Sequence, residues 1–155
     1  MKRTCMLMIG VLLAAVTASS VAAARSAAPT AHSADFFTVQ LRKTQLGKIL
    51  STASGYTLYE FTKDSSKKSA CAKISGCLQA WPADEVSGKP DAGPGLKASL
   101  LSTIKLPKGG EQVTYAGHPL YIYAGDSGPG QTAYVGAKQF GGSWYALNAA
   151  GHAVK

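Results

Sequence analysis

Methionine does not occur after Met8, and cysteine occurs only twice after Cys5, at Cys71 and Cys77. That leaves little with which to build a soft-metal centre. A Cys-x-x-Cys-His run is missing, which excludes a c-type haem. No nucleophile elbow occurs, and neither does a phosphate-binding glycine loop of the P-loop or dinucleotide kind. Acidic residues are scarce, 8 against 16 Lys and Arg. The apolar run Ile9 to Val16 falls short of the roughly 20 residues a spanning helix needs. No low-complexity tract follows residue 34, and no linker is long enough to divide the chain. These absences predict a protein that is not an enzyme and carries no cofactor.

The start of the chain predicts export. Lys2 and Arg3 precede the apolar run, and Ala22-Ala23-Ala24 offers a small-residue cleavage site, so residues 1–24 read as a signal peptide. A lipid anchor needs a Cys directly after that site, whereas Cys5 lies inside the charged start. Residues 25–34, mostly Ala, Ser, Pro and Thr, read as a disordered lead. The expected mature chain begins near Arg25 and keeps 14 bases and 8 acids, a net charge of +6. In an oxidising compartment Cys71 and Cys77, with five residues between them, read first as a disulfide. A zinc site needs further ligands nearby, and the flanking sequence has none.

What the chain does contain is a decapeptide that occurs twice. Gly55-Tyr56-Thr57-Leu58-Tyr59-Glu60-Phe61-Thr62-Lys63-Asp64 returns 62 residues later as Gly117-His118-Pro119-Leu120-Tyr121-Ile122-Tyr123-Ala124-Gly125-Asp126. Trp81 and Trp144 lie 63 apart, so the register persists beyond the motif. Asn148 to Val154 echoes the turn half once more. Such repetition marks a duplicated supersecondary unit.

Alternating apolar residues predict strands at Asp35–Arg42, Leu46–Thr52 and Tyr56–Thr62, with a turn at Ala53-Ser54-Gly55. Glu111–Tyr115 and His118–Tyr123 form the twin hairpin, and Ser143–Asn148 with His152–Lys155 a third. Within each motif Tyr59 and Phe61, or Tyr121 and Tyr123, share one face. Leu58 and Glu60, or Leu120 and Ile122, share the other. Both faces of the second copy are apolar or aromatic, which suits a strand between two layers. Leu96, Leu100, Leu101 and Ile104 fall at helical spacing and predict a short helix between the repeats, after a Gly/Pro-rich loop at 86–95. The expected fold is mainly β: antiparallel hairpins in two pseudo-repeats, about 46–110 and 111–155, forming one compact domain over 35–155.

Each candidate site residue carries two readings. The motif aromatics Tyr59, Phe61, Tyr121 and Tyr123 either fill a Tyr-rich core or offer a stacking surface to a ligand. Asp64 and Asp126 either cap the turns that follow their strands or form a carboxylate pair for acid–base work. His118 and His152 follow the turn glycine in equivalent places; they pack the turns or begin a weak metal site. Lys63, Lys67, Lys68 and Lys73 are either a solvated face or an attractor for an anionic envelope component, lipid headgroups or an acidic protein. The charge is uneven: residues 36–110 hold 11 bases and 5 acids, residues 111–155 two of each. Nucleic acid is not an expected partner, because no binding motif for it is present.

Tyr59-x-Phe61-x-x-Asp64 and Tyr121-x-Tyr123-x-x-Asp126 both fit a Tyr-x-aromatic-x-x-Asp pattern. With Leu46-Gly47-x-Ile49-Leu50, Trp81-Pro82, Ala92-Gly93-x-Gly95, Leu100-Leu101-x-Thr103-Ile104, Gln112 to Tyr121 and Phe140-Gly141-Gly142-x-Trp144-Tyr145, the chain resembles a family of predicted bacterial lipoproteins, the secreted repeat of unknown function. The resemblance spans about residues 46–154. It departs from the family in lacking a lipobox, in a wider cysteine spacing, and in Ala83 where members have a second Pro after Trp-Pro. The resemblance implies an exported envelope protein and assigns no catalytic residue. The expected role is a non-enzymatic module of the periplasm or exterior that binds a partner or ligand. The competing expectation is an accessory to periplasmic metal or redox chemistry, built on His118, His152 and the cysteines.

Overall fold

The computed structural model describes residues 38–155. The expected signal peptide, the lead and the first residues of the strand expected at Asp35–Arg42 lie outside the described residues. The elements that follow are short, antiparallel and mostly β, as the alternating pattern requires.

Each repeat opens with a hairpin. In the first, β1 (Val39–Thr44) pairs antiparallel with β2 (Gly47–Thr52), Val39 opposite Thr52 and Thr44 opposite Gly47. The second repeat, expected from about residue 111, opens earlier, with β4 (Leu101–Lys105) against β5 (Glu111–Tyr115), Leu101 opposite Tyr115 and Lys105 opposite Glu111. A second turn then brings each chain back. Ser51 bridges Thr57 in the first repeat; in the second, β6 (His118–Pro119) pairs with Tyr115 and Thr114. The turn at Ala116 and Gly117 has positive φ at both residues, 50° and 84°. This is the backbone a tight two-residue hairpin demands, and the reason glycine stands at the second place.

The motif strands lie at the centre of the molecule and pair across the repeats. Tyr59 and Tyr121 exchange both backbone hydrogen bonds, 2.8 and 2.9 Å, as an antiparallel pair. On its other side β3 (Tyr59–Phe61) pairs with β8 (Gly142–Leu147), Phe61 opposite Trp144. The Tyr121 strand correspondingly meets the segment after Trp81: Ile122 N–H donates to the Pro82 carbonyl at 3.0 Å and Asp84 N–H to the Leu120 carbonyl at 2.9 Å. Every motif strand is thus flanked by two segments of which at least one belongs to the other repeat. Short strands β7 (Lys138–Gln139) and β9 (Ala153–Val154) extend β8.

Strand parity sends successive motif residues into two cores. Leu58 and Leu120 enter an aliphatic one with Val39, Leu50, Val113, Tyr115 and Leu147. Tyr59, Phe61 and Tyr121 enter an aromatic one with Trp81, Trp144 and the cysteines. Gly142 lets β8 approach this second core, since a Cβ there would come within 2.6 Å of the Phe61 ring.

The helix expected over Leu96–Ile104 is corrected. A 3-10 turn covers Ala98–Leu100, and β4 begins at Leu101. Leu96, Leu100 and Leu101 do pack on the aliphatic core, but a turn followed by a strand delivers them. Thr103 and Ile104, both β-branched, favour the pleated partner β5 over a helical turn. Among the described residues the helical turns lie mainly around the cysteines: a 3-10 turn at Cys71–Lys73 and one turn of helix, α1 (Cys77–Ala80).

Candidate functional site

The central pairing makes Tyr59 and Tyr121 neighbours across a pseudo-twofold axis, and the side chains around it obey the same symmetry. Trp81 and Trp144 stack on each other, centroids 3.9 Å apart and planes within 3°. Phe61 stacks on Trp144 at 4.2 Å, and its counterpart Tyr123 lies over Trp81 at 4.4 Å. Tyr59 meets Trp81 edge-on at 5.1 Å, and Tyr121 meets Trp144 edge-on at 5.2 Å. Tyr134 extends the row beyond Tyr123 at 3.9 Å. Offset and T-shaped pairs of this kind contribute about 0.5–1.5 kcal/mol each beyond the area they bury. Tyr59, Tyr121 and both tryptophans are fully buried. The buried rings therefore make a core; Tyr123 alone of the four motif aromatics is partly exposed.

The motif aspartates are exchanged in the same manner. Tyr121 Oη–H donates to Asp64 Oδ2 at 2.8 Å, and Tyr59 Oη–H donates to Asp126 Oδ2 at 3.1 Å. Asp64 also accepts the Ala70 N–H at 2.7 Å, within its own loop, while Ser69 Oγ lies 2.9 Å from the Tyr121 hydroxyl. Asp126 departs from the expected cap: Oδ2 faces Tyr59 and the buried Oδ1 has no hydrogen-bonding partner among the described residues. Burial dominates the ionisation of all four groups. It pushes the Asp64 carboxyl up to about 6 against the pull of the Ala70 N–H and Tyr121. Asp126 is raised, and both tyrosine hydroxyls are raised by burial and then by the facing carboxylate. The hydroxyls are donors at neutral pH, and the sealed geometry serves cohesion between repeats.

His118 and Glu60 form an ion pair through Nδ1 and Oε2. Glu60 is 8 % exposed, and its hydrogen bond raises the His118 pKa, with burial opposing. Glu60 replaces the Ile122 of the second motif, a charge at a buried position in one copy only; that mismatch was the available signal for a residue the sequence reading left out. His152 is exposed in the last turn. Among the described residues no three His, Cys, Asp or Glu side chains gather as a metal site requires.

Cys71 and Cys77 are joined by a disulfide with Cα atoms 5.3 Å apart, packed against the aromatic core. The four lysines at 63, 67, 68 and 73 are all exposed on the segment leading into and through this loop. The loop also forms one wall of a groove completed by residues 106–109 of the second repeat, which sequence reasoning missed because 26 residues separate Gln79 from Leu106.

A duplicated β domain clasped by exchanged Tyr–Asp pairs is the class that this geometry defines. One match for each repeat, over residues 40–83 and 102–148, places the chain in a family: together they cover more than half of it, and it belongs to the secreted repeat of unknown function. No curated protein and no solved structure matches the chain. The family is one of secreted proteins, in line with the export read from the sequence, and no helix among the described residues is long and apolar enough to cross a membrane.

Proposed function

We propose that this secreted repeat protein is a non-enzymatic binding module of the cell envelope, and that it meets anionic envelope material through the basic face around its disulfide loop. One observation carries this reading. The motif aromatics and aspartates are spent on holding the repeats together, whereas Lys63, Lys67, Lys68 and Lys73 are exposed and absent from the only ion pair among the described residues. The equivalent stretch of the second repeat runs Ser127-Gly128-Pro129-Gly130 and holds only Lys138. The fold is satisfied by a neutral connection there, so charge in the first copy answers to something outside the fold. The competing role in metal or redox chemistry draws less support, since the cysteines are joined and His118 Nδ1 is held by Glu60.

The test is co-sedimentation of the exported protein with anionic liposomes and with envelope fractions. Binding should fall as salt shortens the Debye length from about 10 Å at 0.1 M to about 3 Å at 1 M. It should be lost when Lys63, Lys67, Lys68 and Lys73 are all changed to Gln. Salt-independent binding, or a quadruple variant that binds like the parent, overturns the reading.

A further inference from the structure

The two repeats leave the same gap twice, and the copies differ in a way that points to a ligand. In each, the turn of one repeat's opening hairpin faces the segment between the motif Asp and the Trp of the other. The β1–β2 turn faces residues 130–133 across a groove of about 340 Å³. Its lining is Thr, Gln, Gly and Ala without charge, and Gln45 Nε2 donates across it to Thr132 Oγ1 at 3.3 Å. The β4–β5 turn faces the disulfide loop across a groove of about 520 Å³. Here the lining includes aliphatic Ile74, Leu78 and Leu106, with exposed Lys73, Lys108 and Glu85. Ile74 and Leu78 also pack on the aromatic core, but the neutral copy shows that the fold does not need the charges, so for them the pseudo-symmetric partner acts as an internal control.

We infer that the groove between the disulfide loop and the β4–β5 turn binds an aliphatic carboxylate. Three features select that chemistry. No aromatic side chain lines the groove, so a sugar or planar ring finds nothing to stack on, while an alkyl chain finds Ile74, Leu78 and Leu106. Two lysines and one glutamate leave a single net positive charge, which suits a monoanion; Glu85 opposes the second charge of a phosphate monoester. Neither lysine belongs to an ion pair among the described residues, so the head group does not have to displace a carboxylate. The volume is within the range of small-molecule sites, about 300–1,000 Å³. The disulfide holds one wall in place, which lowers the ordering cost of binding. This inference rests on the basic disulfide-loop face being an anion-binding surface and names the small ligand that face takes.

The experiment is an amide-resolved NMR titration of the disulfide-bonded exported protein with hexanoate, octanoate and decanoate below their micellar concentrations. Acetate and decyltrimethylammonium supply the head group without the chain and the chain with the opposite charge. Saturable shifts are expected at residues 72–79 and 106–109, with affinity rising about 3–4-fold for each added methylene. Neither control should saturate. Lys108→Gln should weaken decanoate about 3–10-fold, and Ser75→Trp, at an exposed lining position, should block it. Both variants lie outside the four-lysine set and should still bind liposomes. A protein that binds anionic liposomes but shows no saturable decanoate shift, or shows it away from the groove, overturns the groove site and leaves the envelope reading standing. Decanoate binding that Ser75→Trp leaves intact also overturns it. Failure of liposome binding with a saturable, groove-localised decanoate titration removes the envelope reading and leaves the carboxylate site.

Discussion

Tyr121 of the second repeat donates its hydroxyl to Asp64 of the first at 2.8 Å, and Tyr59 of the first donates to Asp126 of the second at 3.1 Å. The motif that defines the repeat is therefore completed only by the other copy. Its tyrosine and aspartate never serve each other within one repeat in this structure. A pair of motifs is the cooperative unit, and duplication within one chain keeps the two halves together at high effective concentration.

The exchange is unequal, and that gives the first prediction. Tyr121 is held by Asp64 at 2.8 Å and Ser69 at 2.9 Å, whereas Tyr59 has longer contacts, to Asp126 at 3.1 Å and to the Gln131 carbonyl at 3.5 Å. Tyr121→Phe should cost about 1–3 kcal/mol, because it leaves the half-buried Asp64 carboxylate and the buried Ser69 hydroxyl short of a partner. Tyr59→Phe should cost less. Denaturant melts of the two variants measure the difference. A double-mutant cycle of Tyr121→Phe with Asp64→Asn should show coupling of about 1 kcal/mol across the repeats. Additive losses would mean that the pair does not act as a unit.

Much of this was legible in the sequence, and the part that was not has a physical cause. The 62-residue offset shows which residues are equivalent, and strand parity shows that Leu58 and Tyr59 face different layers. Equivalence does not say what touches what. A self-complementary strand can pair with its own copy, as Tyr59 and Tyr121 do, or with a neighbour in its own repeat, and period alone is blind to the choice. The same limit affected Leu96–Ile104, where Leu96, Leu100 and Leu101, at helical spacing, reach one core through a turn and a strand. The paired faces of the groove, Ile74 and Leu78 against Leu106 and Lys108, meet only because the repeats cross.

The crossing predicts how the chain responds to being cut. The loop around Ser87, Gly88 and Lys89 is exposed and lies between the two matched repeats. The segment after Trp81 pairs with Tyr121 and Ile122, and β8 pairs with β3, so each half supplies backbone partners to the other. A protease site inserted there should be cleaved while both halves stay in one particle through size-exclusion chromatography. They should part only in denaturant. Halves that separate in native buffer would show that each repeat closes on itself.

The last prediction concerns pH and a carboxyl outside the motif. Asp84 follows Trp81-Pro82-Ala83 on the segment beside Leu120; its Oδ2 is buried without a hydrogen-bonding partner among the described residues, and burial pushes its pKa up to about 7. An unfolded Asp ionises near about 3.9. Between those values the folded protein binds more protons than the unfolded chain, so Asp84 makes stability fall as pH rises through that window. Asp64, raised to about 6, and Asp126, also raised, act with the same sign. His118 adds to the trend: its pairing with Glu60 raises its pKa, so its contribution is full below the unfolded value of about 6.5 and is lost as pH rises through the folded one. Thermal melts should accordingly show a more stable protein at pH 5 than at pH 8. Asp84→Asn keeps the shape and removes the charge, so it should raise stability at pH 8 by about 1–2 kcal/mol, a part of what a shift of this size is worth. At pH 4, where the folded carboxyl is protonated and the unfolded one is about half protonated, the same substitution should change little. A variant whose gain is equal at both pH values would place the effect in packing and not in the buried charge.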